Sequence, residues 1–241
     1  MATDHVYELR QYTLHPGRRD DLVQVFDRWF VEGQEDLGIR VQGQFYDLDR
    51  PDRFVWVRSF PGLEARRAAL AGFYGGPVWE AHRDVANDTM MSWDDVLLLQ
   101  SVSPNGVDLA AGASLPPLGS TGLPNSLISI DVHHLAAPID EKTLAFFETE
   151  VEPLLIAAGS ERRALLWTDP GPNTFPALPV REGEQVIVRV CRFADERDHT
   201  AYRERLARSE PWAGAEAELA ARLAGPSQQL RLRSTARSRL R

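Results

Sequence analysis

The chain has 241 residues, is 43% hydrophobic and carries a formal net charge of -8 at neutral pH. That length admits one large domain or two small ones, and the apolar share excludes disorder throughout. The acidic balance excludes nucleic acid or an anionic membrane as the main partner, and no apolar run approaches the ~20 residues needed to cross a bilayer.

Val6 to Leu14 alternates and is rich in β-formers, predicting a strand that Pro16-Gly17 ends. From Arg18 to about Leu37 the apolar residues Leu22, Val25, Phe26, Trp29 and Phe30 recur at helical spacing, with Phe26, Trp29 and Phe30 expected in the core. Asp20 and Asp21 sit in the favourable first turn, and Gly38 is placed to end the helix. Strands are predicted at Val41–Asp47 and Phe54–Phe60 around the turn Asp49-Arg50-Pro51-Asp52, then helices at Leu63–Ala71 and Pro77–Thr89 and a strand at Val96–Val102. Residues 103–125 hold Gly106, Gly112, Pro116, Pro117, Gly119, Gly122 and Pro124, a composition that suits a linker running outside the fold.

Beyond the linker the succession returns. Strands are predicted at Leu127–Leu135, Ala164–Thr168, Val186–Phe193 and about Gln228–Leu232, with helices at Asp140–Ala158, Arg197–Arg208 and Pro211–Leu223. Phe60 corresponds to Phe193 and Pro77 to Pro211 at nearly constant offset. Two long copies read as a duplicated domain, not a solenoid. Each copy has the β-α-β-β-α-β order of the ferredoxin-like unit, whose helices cover one face of the sheet. The expected fold is therefore α+β: tandem ferredoxin-like repeats, 1–102 and 126–232, packing their bare sheet faces against each other within one chain. Residues 233–241 end the chain, and Arg231, Arg233, Arg237, Arg239 and Arg241 are expected to form a basic, solvated, frayed tail. The segment Met1-Ala2-Thr3-Asp4-His5 has neither the basic nor the apolar region of a signal peptide. With Cys191 as the sole cysteine, no intrachain disulfide forms, and the two observations together suit a cytoplasmic protein.

The segment Tyr7-Glu8-Leu9-Arg10-Gln11-Tyr12-Thr13-Leu14-His15-Pro16-Gly17 resembles the opening strand of the NIPSNAP family, Tyr-Glu-Leu-Arg-x-Tyr ending in Pro-Gly. Pro77-Val78-Trp79 through Leu97-Leu98-Leu99 resembles that family's closing helix and strand. The resemblance covers the first half well and the second in outline. It implies the dimeric α/β-barrel superfamily, in which ferredoxin-like units pair their sheets around a cavity. Cofactor-free oxygenases, isomerases, polyketide cyclases and haem enzymes belong there, alongside members without known chemistry. The sequence departs from the family at its third strand, where a His-x-Trp-x-Tyr pattern appears here as Trp56, Arg58 and Phe60. In the second copy the Glu, Arg and Tyr of the opening strand become Ser129, Asp131 and His133, so the two halves are chemically unequal.

Alternation along a strand puts Glu8, Arg10 and Tyr12 on one face, and Ser129, Asp131 and His133 on the matching face of the second copy. The opposite faces are more apolar and suit packing under helices, so the polar sets are expected to line the cavity between the sheets. Asp131 beside His133 would raise the imidazole's basicity and orient it as a general base; the plain alternative is a hydrogen-bonded wall histidine. Glu8 and Arg10 read either as substrate contacts or as a buried ion pair that fixes the sheet. Trp56 with Arg58, and Arg189 with Cys191, share faces of the third strands; the arginines would hold a carboxylate or enolate, or else pair with Glu8 and Asp131. Cys191 reads as a small buried hydrophobe. No metal-ligand spacing and no phosphate loop is present, and no histidine stands out as a haem ligand, so no cofactor is expected.

These readings converge on a small-molecule enzyme, with His133 and Asp131 moving protons. Glu8, Arg10, Tyr12, Trp56, Arg58, Ser129 and Arg189 are the expected contacts to a mainly apolar ligand of secondary-metabolite type. The alternative is a non-catalytic binding or scaffold protein on the same barrel. Pairing of two chains into a homodimer stays open.

Overall fold

The computed structural model describes residues 5–104 and 106–241. Met1–Asp4, on which the leader reading falls, and Asn105 of the linker lie outside the described residues. In the first half, β1 (Val6–Leu14) leads to a helix that runs from α1 (Arg19–Val25) through a π-helical turn (Phe26–Phe30) into α2 (Val31–Glu35). Gly38 follows with φ +81°, the left-handed conformation that a glycine adopts without strain. The half is completed by β2 (Arg40–Asp47), β3 (Arg53–Phe60), α3 (Leu63–Tyr74), α4 (Pro77–Asn87) and β4 (Met90–Ser101).

The second half has the same succession: β5 (Leu127–His134), α5 (Glu141–Phe146) through a π turn (Phe147–Val151) into α6 (Glu152–Ala157), β6 (Glu161–Thr168), β7 (Val186–Phe193), α7 (Glu196–Ala207), α8 (Glu210–Arg222) and β8 (Gln228–Ser234). Asp140, Asp195 and Ser209 cap α5, α7 and α8 through their side chains, and Pro77 and Pro211 occupy first turns where the missing N–H costs nothing.

The eight strands close into one antiparallel barrel in the order β1-β3-β2-β8-β5-β7-β6-β4. Two short seams join the halves: Phe45–Asp47 of β2 on Leu232–Ser234 of β8, and Leu99–Ser101 of β4 on Leu166–Thr168 of β6. An eight-stranded barrel has room for its own side chains and little more. Tyr7, Leu9, Val55, Val57, Ile128, Ile130, Val132, Val188 and Val190 fill it, together with residues of every other strand. The inter-sheet space is thus an apolar core, not the polar cavity expected from the alternation. Glu8, Arg10, Tyr12, Ser129, Asp131 and His133 face outward beneath the helices.

Two connecting segments depart from expectation. The linker does not run wholly outside: Leu109 and Ala110 enter the barrel core, and the Tyr7 hydroxyl donates to the Val107 carbonyl at 2.6 Å. Nor does the C-terminal tail fray. Leu240 is 2% exposed and Arg237 also 2%, while Arg231, Arg233, Arg237 and Arg239 pair with Asp49, Glu196, Glu32 and Glu35. Thr235 and Leu240 donate their backbone N–H to Gln44 and Gln42 of β2, and a Cβ at Gly43 would meet Ser238 Oγ at 3.0 Å. The tail therefore clamps the second half onto the first. Deleting Thr235–Arg241 is expected to cost about 2–4 kcal/mol, chiefly from lost apolar burial and an unfilled barrel end. A urea midpoint equal to that of the full chain would show the clamp to be idle.

Trp29 is a further correction. It is 40% exposed and stacks on His82 with ring centroids 4.5 Å apart, whereas Phe26 and Phe30 are buried as expected.

Candidate functional site

The helices of the second half leave a gap above the outer face of their sheet. A cavity of about 430 Å³ opens there between β5, β8, α7 and α8. β5 contributes Ser129, Asp131 and His133, successive outward positions of one strand. α7 contributes His199, Tyr202, Arg203 and Leu206, which follow at helical spacing on one face. α8 supplies Trp212, Glu216 and Leu219; Ser209 caps that helix by accepting from the Trp212 backbone N–H at 3.3 Å. Val151 and Leu155 make part of the apolar lining, and Ser227, Gln229 and Arg231 close the β8 side.

Asp131 is the chemically unusual member. It is half-buried at the cavity wall and makes no hydrogen bond or ion pair among the described residues. Its β7 neighbour Arg189 is committed elsewhere: Nε donates to Glu152 at 2.5 Å and Nη2 to Ser160 Oγ at 2.6 Å. Burial therefore pushes the Asp131 carboxyl up to about 6; the charges of Arg189 and Arg203 offset this in part, and Glu152 adds to it.

His133 behaves unlike the expected general base. Its Nδ1 is 2.7 Å from Ser227 Oγ, not bonded to Asp131, and its ring packs on Phe147 at 5.4 Å. Burial, then the charges of Arg189 and His134, lower it to about 4, so the imidazole is neutral at pH 7. His199 is likewise lowered to about 4, by burial and then by Arg231 and Arg203. Burial raises the Tyr202 phenol, keeping it protonated. The cavity thus sets a carboxyl raised to about 6 beside two neutral imidazoles and a phenol, with Arg203, Arg231 and Glu216 and an apolar wall around them.

The remaining expected contacts lie elsewhere. Glu8, Arg10, Tyr12, Trp56 and Arg58 belong to the first half, where the same outer face of the sheet is almost sealed by α1 to α4. Glu8 is fully buried and accepts from three arginines: Arg10 Nη1 at 2.6 Å, Arg58 Nε at 2.7 Å and Arg66 Nε at 2.6 Å. Burial alone would raise its carboxyl; Arg58, Arg10 and Arg66 overcome this and hold it well below the usual carboxylate range. Beside the cluster Tyr12, Gln34, Trp56 and Tyr74 line a gap of about 30 Å³, too small for an organic substrate.

The connections explain why one gap is open and the other shut. Residues 169–185, between β6 and β7, reach over the first half: Arg66 Nη1 donates to Asn173 and Thr174, and Phe175 stacks on Tyr74 at 6.1 Å. The corresponding first-half connection is only the turn 48–52, which leaves the second-half cavity uncovered. Arg189 and Cys191 lie beneath that cavity without lining it; Cys191 is a buried free thiol that burial raises further.

A single-chain antiparallel α+β barrel, with a cavity of about 430 Å³ under the helices of its second half, is the class these features define. Residues 7–104 match the NIPSNAP family, so the first half of the chain is similar to that family's domain. Over nearly the whole chain the fold is similar to a protein of Fusobacterium nucleatum provisionally named a monooxygenase, at 7% identity and TM-score 0.59, covering 98% of this chain and 94% of that one. A protein of Lactobacillus acidophilus, also provisionally named a monooxygenase, matches at 10% identity and TM-score 0.53, covering 97% of each chain. An anthrone oxidase-like protein matches at 13% identity and TM-score 0.53, covering 96% of this chain and 92% of that one. At such identities the likeness establishes the fold alone. No curated protein matches the sequence. Among the described residues no helix is long and apolar enough to cross a membrane.

Proposed function

We propose that the chain is a small-molecule enzyme working by acid/base chemistry in the second-half cavity, on a mainly apolar, enolisable substrate. The observation that carries this reading is the Asp131 carboxyl, unpaired and held near 6 at the wall of a cavity of about 430 Å³. A carboxyl in that range is matched to proton transfer at neutral pH, and a cavity of that size suits a ligand of two or three rings. Asp131 takes a proton from an acidic carbon or hydroxyl of the substrate. His133, held through Nδ1 by Ser227, and the Tyr202 hydroxyl hydrogen-bond the substrate oxygen, while Arg203 offers a cation to the developing enolate. The enolate is then reprotonated by Asp131 at another carbon, adds to a second carbonyl of the substrate to close a ring while the resulting alkoxide takes the Asp131 proton, or is oxidised by dioxygen to a hydroperoxide that takes the same proton.

The names of the fold neighbours support the last of these outcomes, since anthrone is a tricyclic enolisable ketone. We read the two halves as tandem ferredoxin-like repeats, 1–102 and 126–232, of which the second kept an open site; the matched element order supports this.

The test is deuterium exchange. A panel of polycyclic enolisable ketones is incubated with the protein in D2O, and deuterium at the acidic carbon is followed by mass spectrometry. Exchange faster than in buffer, lost in Asp131→Asn, is the expected result. Panel members that raise the melting temperature without exchanging would assign the cavity to binding alone and overturn the catalytic reading.

A further inference from the structure

The Glu8 cluster has a charge imbalance that its hydrogen bonds do not remove. Arg10, Arg58 and Arg66 are each 0% exposed and all pair with one carboxylate. Three guanidinium charges against a single carboxylate leave a surplus of two positive charges in a dry interior. Such a surplus is costly unless something negative joins it. The remaining acceptors are neutral: the Tyr12 hydroxyl to Arg10 Nε at 2.9 Å, Gln34 Oε1 to Arg58 Nη1 at 3.0 Å, and Asn173 and Thr174 to Arg66 Nη1. Tyr12 does not supply the charge as a phenolate, because burial raises its hydroxyl and keeps it protonated.

The donors point the same way. Nη2 of Arg10 and of Arg66 is buried without a hydrogen-bond acceptor, and so is the indole Nε1 of Trp56, whereas Arg58 Nη2 lies 2.7 Å from Glu8 Oε2. Buried polar atoms are rarely left unpaired, and here every orphan in one cluster is a donor. The Arg58 guanidinium lies 4.9 Å from the Trp56 ring and 5.9 Å from the Tyr74 ring, and Arg10 lies 5.5 Å from the Trp56 ring. Trp56 and Tyr74 are walls of the adjoining gap of about 30 Å³, room for one water-sized group. A water there would accept from two donors but would then need acceptors for its own protons, and it would leave the charge surplus untouched.

We propose that the arginines around Glu8 form a binding site for one small monovalent anion, of the size of chloride or formate, seated at the Tyr12, Trp56 and Tyr74 end of the otherwise apolar gap, where Arg10 and Arg58 lie against those rings. The anion accepts from the orphan guanidinium and indole donors and neutralises part of the surplus. It also strengthens the contact by which Arg66 ties the 169–185 segment of the second half to the first.

Melting temperatures measured at matched ionic strength in sodium sulfate, chloride, bromide and formate separate this site from general salt effects. Sulfate, too large for the gap, is the strongest general stabiliser of the four through exclusion from protein surfaces. A specific site reverses that order: chloride, bromide or formate at about a hundredfold over the dissociation constant is expected to raise the midpoint by roughly 5 °C above sulfate. Diffraction from crystals grown in bromide is expected to show an anomalous peak within hydrogen-bond reach of at least two of Arg10 Nη2, Arg66 Nη2 and Trp56 Nε1. Arg66→Gln is expected to shrink the anion dependence; should that variant fail to fold, the two wild-type measurements still decide. Sulfate ranking highest, with no bromide at the cluster or with bromide at surface positions only as an adventitious ion only, would overturn the proposal.

Discussion

Asp131→Asn is expected to abolish most turnover and to make the protein more stable at the same time. In the proposed role of proton acceptor, the carboxyl is expected to contribute about 10²–10⁴-fold, which an amide does not replace. The stability gain follows from linkage. The Asp131 carboxyl moves from 3.8 in the unfolded chain to about 6 in the folded one. Between those values the folded state binds more protons than the unfolded state, so stability falls as pH rises from about 4 to 6. Above pH 6 the full cost, about 3 kcal/mol at most, is present and the amide removes it. The variant should therefore melt several degrees above the wild type at pH 8 and level with it at pH 4. Catalytic efficiency of the wild type should rise with pH through about 6. His133→Ala should cost less than Asp131→Asn, because the imidazole is neutral and tied to Ser227. A variant that loses activity but is less stable at pH 8 would show Asp131 to be a structural residue.

Much of the fold was legible. The alternation of Val6–Leu14 and Leu127–His134, the Pro-Gly stops and the aromatic spacing in the first helix each report a local preference that the barrel keeps. Even the grouping of Ser129, Asp131 and His133 on one face survives, because a strand has a strict period of two. What alternation does not contain is which face points inward. In this barrel, wrapped by helices, strands such as β1, β3 and β7 are buried on both faces along nearly their whole length. The driest space, between the two sheets, takes Leu9, Val57, Ile130 and Val188, while the outer face, edged by water, tolerates carboxylates and imidazoles. Reading the more apolar face as the one under helices inverted the site.

The residues missed were of two kinds. His199, Tyr202 and Arg203 follow a helical face, so their spacing was visible; their meeting with Asp131 was not, since it depends on how α7 crosses β5. Arg66 and the 169–185 segment were invisible for a different reason: their contact joins positions 107 and 108 residues apart. The tail failed on charge alone. Five arginines look solvated until Glu32, Glu35, Asp49 and Glu196 are found opposite four of them.

Glu8→Gln is expected to destabilise more than any other single change outside the barrel core. The substitution keeps shape and volume but removes the one negative charge that Arg10, Arg58 and Arg66 share, all of them 0% exposed. Three cations are then buried together without the carboxylate they share. Breaking an ordinary buried pair costs about 3–5 kcal/mol, and here like charges also repel one another. For a chain of this size the midpoint should fall by about 10 °C or more. The pH dependence carries the sign. Because the folded-state carboxyl lies well below its ordinary 4.5, its stabilising share is fully present above that value and is lost as pH falls below it. The gap between wild type and Glu8→Gln should therefore be widest at neutral pH and narrow on acidification. Adding Arg66→Met to Glu8→Gln removes one of the stranded cations while filling similar space, so the double variant should recover part of the loss; the deviation from additivity measures the charge interaction itself. Additive losses, or a midpoint for Glu8→Gln within about 2 °C of wild type, would mean that water or a rearranged backbone already screens the cluster, and that the three arginines are held by packing instead of by Glu8.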